Sequence, residues 1–144
     1  MADTVYNRFK LGCLQAAYDL QEAGDDVQVG LVTSSYTLNG DTHLDWADIT
    51  NELSGTGYTA GGADIANQTT TQDDTDDEGV FDGDNVTWTG INAGTAAAAI
   101  TYQNTGTAAT SLLIGYHDSG GFPITTNGGN LTIQWSSEGI VNLT

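Results

Sequence analysis

The spacing of apolar residues changes period once along the chain, near residue 24. Between Val5 and Leu20, the residues Tyr6, Phe9, Cys13, Ala16 and Leu20 recur at steps of three and four, one face of an α-helix. Leu11, Leu14 and Tyr18 form a second apolar ridge beside it. Asp3 or Thr4 is placed to cap the N-terminus and Gly24 to end the helix in a left-handed turn, which predicts a helix over about residues 4–23. A helix with two apolar faces needs cover from its own domain, from a partner, or from both.

Beyond Gly24 the period is two. Val27, Val29 and Leu31 alternate with Gln28 and Gly30, Val86 and Trp88 with Thr87 and Thr89, and Leu131, Ile133 and Trp135 with Thr132 and Gln134. Ala63 to Thr71 reads as a strand with one wet face, and Ala96 to Tyr102 as a closely packed strand. Leu112 to Tyr116, the most hydrophobic run, reads as the central buried strand. Leu44 to Leu53 fits a helical turn, a loop or an edge strand equally well. Turn signals recur about every 8–14 residues among these short runs. The expectation is a mainly β fold: an antiparallel β-sandwich or jelly-roll-like barrel with one N-terminal α-helix. It would form a single domain over 1–144, its β-part starting near residue 26.

Charge narrows the partners. The formal net charge is −17, and the only basic residues, Arg8 and Lys10, both lie in the helical segment. Phosphate affinity comes from Lys and Arg, so nucleic acid and anionic membranes are excluded as partners. The acidity itself serves solubility and self-repulsion, or reflects salty surroundings or divalent-cation binding. No stretch approaches the ~20 apolar residues of a membrane span, and the first residues hold no long apolar run. Synthesis in a host cytoplasm without secretion is the expectation. Cys13 is the single cysteine, so no disulfide framework exists, and a buried thiol is the default in its apolar setting.

Candidate chemistry is sparse. Ser54 to Gly62 (SGTGYTAGG) lacks the GK[ST] ending of a phosphate loop and is read as backbone needing positive φ or close approach, with Tyr58 packing onto the core. From Asp74 the chain runs DTDDEGVFDGDN, which puts Asp74, Asp76, Glu78 and Asp82 at calcium-loop positions and Gly79 at the sixth. The twelfth residue is Asn85 instead of a bidentate Glu, so a solvated acidic turn is the plainer reading and Ca²⁺ a weak candidate. His43 and His117 read as surface or turn histidines, and no nucleophile elbow is present. Among the aromatics, Trp88 and Trp135 read as core and Trp46 as an interface candidate. No cofactor and no enzymatic activity are expected.

The segments VYNRFK (Val5–Lys10), Val27–Thr37, SGTGYTAGG, DNVTW (Asp84–Trp88) and LTIQW (Leu131–Trp135) with Gly139–Ile140 together resemble a family of small structural proteins encoded by tailed bacteriophages. The resemblance covers nearly the whole chain. Relatives carry a basic residue near the Ala-rich strand, whereas Asn92–Ala99 has none, which fits a host in salt water. It implies a virion component, foremost a head decoration (cement) protein bound to the major capsid protein and to sister copies, by analogy as a homotrimer. Tyr6, Arg8, Phe9, Lys10, Leu14 and Trp46 are the candidate assembly residues. A tail or baseplate protein, and a carbohydrate-binding module using Trp46 and Tyr58, are the alternatives.

Overall fold

The computed structural model describes residues 2–21 and 23–144. In chain order its strands and helix are β1 (Thr4–Val5), α1 (Asn7–Leu14), β2 (Val27–Val32), β3 (Ala63–Asp64), β4 (Thr69–Asp73), β5 (Glu78–Asp82), β6 (Val86–Trp88), β7 (Thr95–Ala96), β8 (Ala98–Gln103), β9 (Leu113–His117), β10 (Ile124–Thr125), β11 (Leu131–Ile133) and β12 (Val141–Leu143). Strand at 36% against 10% helix makes the protein mainly β, with several antiparallel sheets and no closed barrel among the described residues.

The main sheet has the order β1-β9-β8-β2-β3. Its centre is β8, buried at every position, rather than the Leu112–Tyr116 run. Hydrophobicity alone pointed to the wrong strand because β8 is rich in alanine. Small side chains contribute little apolar character, yet they let layers close in on both faces. Alternation then divides the sheet. Val27, Val29, Leu31, Ala99 and Ile114 join a core with Phe81, Val86, Trp88, Leu131, Ile133 and Val141 from the smaller sheets, and with Ile140 just before β12. On the opposite face, Val32, Ala98, Ile100, Tyr102 and Leu113 meet Tyr6 and Tyr36, with Trp46 and Ile49 packed against them.

The smaller sheets are β12-β5-β4, β11-β6 and β10-β7. The expected alternation in Val86–Trp88 and Leu131–Ile133 holds: the two strands pair, apolar residues inward, while Thr87 and Thr132 join hydroxyls at 2.8 Å on the wet side. Ala63–Thr71 is two strands rather than one. The chain turns between them at Asn67, whose φ is +53°.

The helix is shorter than its apolar pattern. It spans Asn7–Leu14, and Glu22 of the expected 4–23 range lies outside the described residues. Thr4 belongs to β1, and Asp3 caps no helix. Its carboxylate instead accepts the backbone N–H groups of Asp118 and Ser119, at 2.7 and 2.9 Å. The helix ends not at Gly24 but at Ala16, in left-handed conformation at φ +52°. Ala17 N–H reaches Gly12 C=O at 2.9 Å and Ala16 N–H reaches Cys13 C=O at 3.3 Å, a Schellman closure with alanine where glycine is usual.

Tertiary packing explains the early stop. Tyr18 folds back over Gly12, sets its ring edge-on to Phe9 at 4.9 Å, and donates its hydroxyl to Leu113 C=O at 3.0 Å. A Cβ on Gly12 would stand 2.1 Å from the Tyr18 ring, so the bare backbone there admits the aromatic.

Candidate assembly surface

The short helix sorts the candidate residues into two groups. Tyr6 and Phe9 are 0% and 2% exposed, so they belong to the interior of this chain. Phe9's face is the one that meets the sheets. Leu14 is 88% exposed and Leu11 47%, on a turn that also presents Lys10 at the surface and Arg8 half-buried. Thus the one helix that holds both basic side chains also holds the most exposed large apolar side chain among the described residues.

Cys13 corrects the expectation of a buried thiol. The residue is exposed overall and lines the edge of a groove, where partial burial pushes its pKa above the ordinary thiol value. That groove, ≈ 320 Å³, runs from Cys13, Tyr18 and Leu20 across β5 to Val141 and Leu143. Side chains of the helix segment and of the β12-β5-β4 sheet share its lining, while Leu11 and Leu14 are exposed outside it.

Trp46 sits elsewhere. Asp45 and Asp48 cap a short 3-10 turn, Trp46–Asp48, from both directions, and this points the indole onto the main sheet. There it stacks on Tyr102 with centroids 4.1 Å apart and planes 19° from parallel. Gly30 makes the space, since a Cβ there would lie 2.2 Å from the indole edge. Tyr58 is also spoken for: its hydroxyl accepts Leu31 N–H at 2.9 Å and donates to Glu52 Oε1 at 2.9 Å. Desolvation is the chief cause that pushes its pKa far up. The reading of the glycine-rich stretch holds, for Gly55, Gly57, Gly61 and Gly62 all have positive φ. At Gly62 a Cβ would come within 1.9 Å of Val29 C=O.

The four acidic candidates do not converge. Residues 74–77 are the tip of a β4–β5 hairpin in which Asp73 pairs with Glu78 and Thr69 with Asp82. Glu78 and Asp82 therefore stand at opposite ends of one strand, ~13 Å apart along it. Asp73 accepts Thr75 N–H at 2.7 Å, Asp74 accepts from the Gln72 amide, and Glu78 accepts from the Asn142 amide. Among the described residues, no group of three or more His, Cys, Asp and Glu has the arrangement of a metal site.

The histidines are not both surface residues either. His117 is only 6% exposed, with Nε2 3.3 Å from the Thr101 hydroxyl and its ring 5.3 Å from Trp135. His43 Nδ1 lies 2.8 Å from the Tyr36 hydroxyl, which in turn meets Tyr6 at 3.0 Å. Sequence spacing carried no signal for this Tyr–Tyr–His chain, because its members are joined only by the fold. The same holds for Glu52, Gln28 and Tyr102, which converge beside Trp46; the one trace in the sequence was the neighbouring Gly61-Gly62 pair.

No family model, curated protein or solved structure is similar enough to this chain to match it.

Proposed function

We propose that this protein is a non-enzymatic structural component of a tailed-phage virion that decorates the assembled capsid. The observation that carries the reading is the α1 surface: Leu11 and Leu14 are exposed on the one helix that also holds both basic side chains of the sequence. Exposed leucines beside positive charge on an otherwise acidic chain are what a protein contact would use. Elsewhere the surface is strongly acidic, which keeps free copies apart and leaves this patch as the place where association costs least.

The segments that carry the phage resemblance support the reading by what they do. Val27–Val32, Gly62, Val86–Trp88 and Leu131–Ile133 are scaffold: sheet centre, close backbone approach and paired strands. They speak for a shared fold, which we take to be a sandwich of jelly-roll type, the smaller sheets facing the main one. The partners are then the major capsid protein and sister copies, with a homotrimer as the simplest arrangement. The carbohydrate-module alternative loses ground, because Tyr58 is tied to Leu31 and Glu52 and Trp46 has one face on Tyr102.

Mass spectrometry of separated heads and tails tests the location, and recovery in tails alone would favour the tail or baseplate reading. Capsids lacking the protein, mixed with wild type or Leu14→Gln, test the surface. The variant should keep its fold and lose occupancy. Undiminished occupancy would remove the α1 turn from the contact.

A further inference from the structure

A second surface lies where Trp46 and Tyr102 stack. The two rings form one wall of an open pocket, ≈ 410 Å³, with Gln28, Glu52, Gly61 and Asn104 around it. Its polar lining is unusual in sign. Gln28 donates its amide to Asp64 at 2.6 Å, and its carbonyl oxygen accepts from the Tyr102 hydroxyl at 2.8 Å. Gly61 C=O competes for the same single hydroxyl proton, at 2.7 Å. Glu52 is half-buried and uses Oε1 for both Tyr58 and Gly61 N–H, the latter at 2.5 Å, which leaves Oε2 uncommitted. The pocket therefore gathers a carboxylate, a side-chain carbonyl and a backbone carbonyl against an aromatic stack. Gly61 keeps it open, since a Cβ at its φ of +93° would stand 3.2 Å from the Tyr102 hydroxyl.

The one Tyr102 proton leaves either the Gln28 or the Gly61 carbonyl unserved. With Glu52 Oε2 this gives the Trp46 side of the pocket an excess of acceptors that suits a donating ligand, the Asn104 amide being the donor across from it. Metal ions are poorly served, because Glu52 brings the one carboxylate in the lining. A sugar hydroxyl both donates and accepts and gains nothing from the charge. A guanidinium is planar, donates five N–H bonds and accepts none, and it stacks on aromatic faces. The surrounding charge of −17 favours any cation further. We propose that this pocket binds an arginine side chain presented by a partner protein. The inference rests on the assembly reading only in supposing that a partner protein exists; the pocket chemistry stands apart from which particle surface is decorated.

The test uses the purified protein and a capped Gly-Arg-Gly peptide at low salt, followed by the Trp46 indole N–H signal in NMR. A saturable shift of that signal is expected. The citrulline peptide, which is the neutral isostere, should fail to produce it, and the lysine peptide should bind more weakly. Glu52→Gln, which retains an oxygen for Tyr58 and Gly61, should weaken arginine binding roughly fivefold. Equal response to arginine and citrulline overturns the proposal. So does a shift pattern centred on the acidic hairpin, which would mark diffuse charge attraction. Because the citrulline comparison is made on the wild-type protein, the result does not depend on how any variant folds. Failure here with intact capsid binding would sink the pocket while leaving the assembly reading in place.

Discussion

At the scale of single residues, backbone approach decides more than side-chain chemistry. Glycine inside a helix is normally improved by alanine, by about 1 kcal/mol. At Gly12 the opposite is expected. The Tyr18 ring is pinned between Phe9 and Leu113 C=O, so a methyl 2.1 Å from it cannot be accommodated by a simple side-chain swing. Gly12→Ala should therefore lose about 1–3 kcal/mol of stability by overpacking; urea titration would show it as a lower midpoint, and a higher midpoint would mean that Tyr18 is free to leave. Ala16 is the mirror case. Its left-handed φ suits glycine, so Ala16→Gly should gain roughly 1 kcal/mol in the same assay.

Asp3 supplies a pH dependence. Desolvation raises its pKa, but hydrogen bonds from the Ser119 hydroxyl and from the Ser119 and Asp118 backbone outweigh it, and the value falls below the ordinary 3.8. A depressed carboxylate pKa gives stability that is present above the unfolded value and is lost as pH drops through the folded one. Asp3→Asn should thus melt lower than wild type near neutrality, and the two curves should converge below pH ~3.8. The site is mostly solvent-facing, so the difference will be small. Parallel curves down to strongly acidic pH would contradict the linkage.

Among the elements, α1 carries the clearest separation of roles. Phe9 is core, so Phe9→Ala should cost about 3–5 kcal/mol and says nothing about assembly. Leu14 is almost wholly exposed, and Leu14→Gln should change stability by less than ~0.5 kcal/mol. A thermal melt of both variants checks the contrast. Only Leu14 and its neighbours can then be used to probe docking without unfolding the protein. The β4–β5 hairpin is the other exposed element. Its acids are spread along two strands and a tip, and their amide and backbone partners hold the turn together, which is a structural use of carboxylates that needs no ion.

The whole molecule is governed by its charge. Nineteen acidic residues against two basic ones repel one another more in the compact state than in the expanded chain. Raising NaCl from about 0.01 M to about 1 M shortens the screening length from roughly 30 to 3 Å and should raise the melting temperature. Each kcal/mol gained corresponds to roughly 2–4 °C for a chain of this size. Calcium at matched ionic strength should give the same rise as sodium. An excess that disappears in Asp76→Asn would restore the hairpin as a cation site.

Period and composition determined the class of this protein, because alternation and turn residues act locally. The alternation of strands Val86–Trp88 and Leu131–Ile133, the positive φ of the glycine-rich loop and the position of Tyr58 against the core were all legible in the sequence. Three things were decided only in the folded chain. The helix stopped at Leu14 because Tyr18 returns to fill Gly12, although the apolar rhythm runs on to Leu20. The centre of the main sheet fell to alanine-rich Ala98–Gln103, since closeness on two faces outweighs hydrophobicity in one strand. Trp46 and Glu52, Tyr102, and Gln28 came together from three separate segments, and convergence of that kind leaves no period in a sequence.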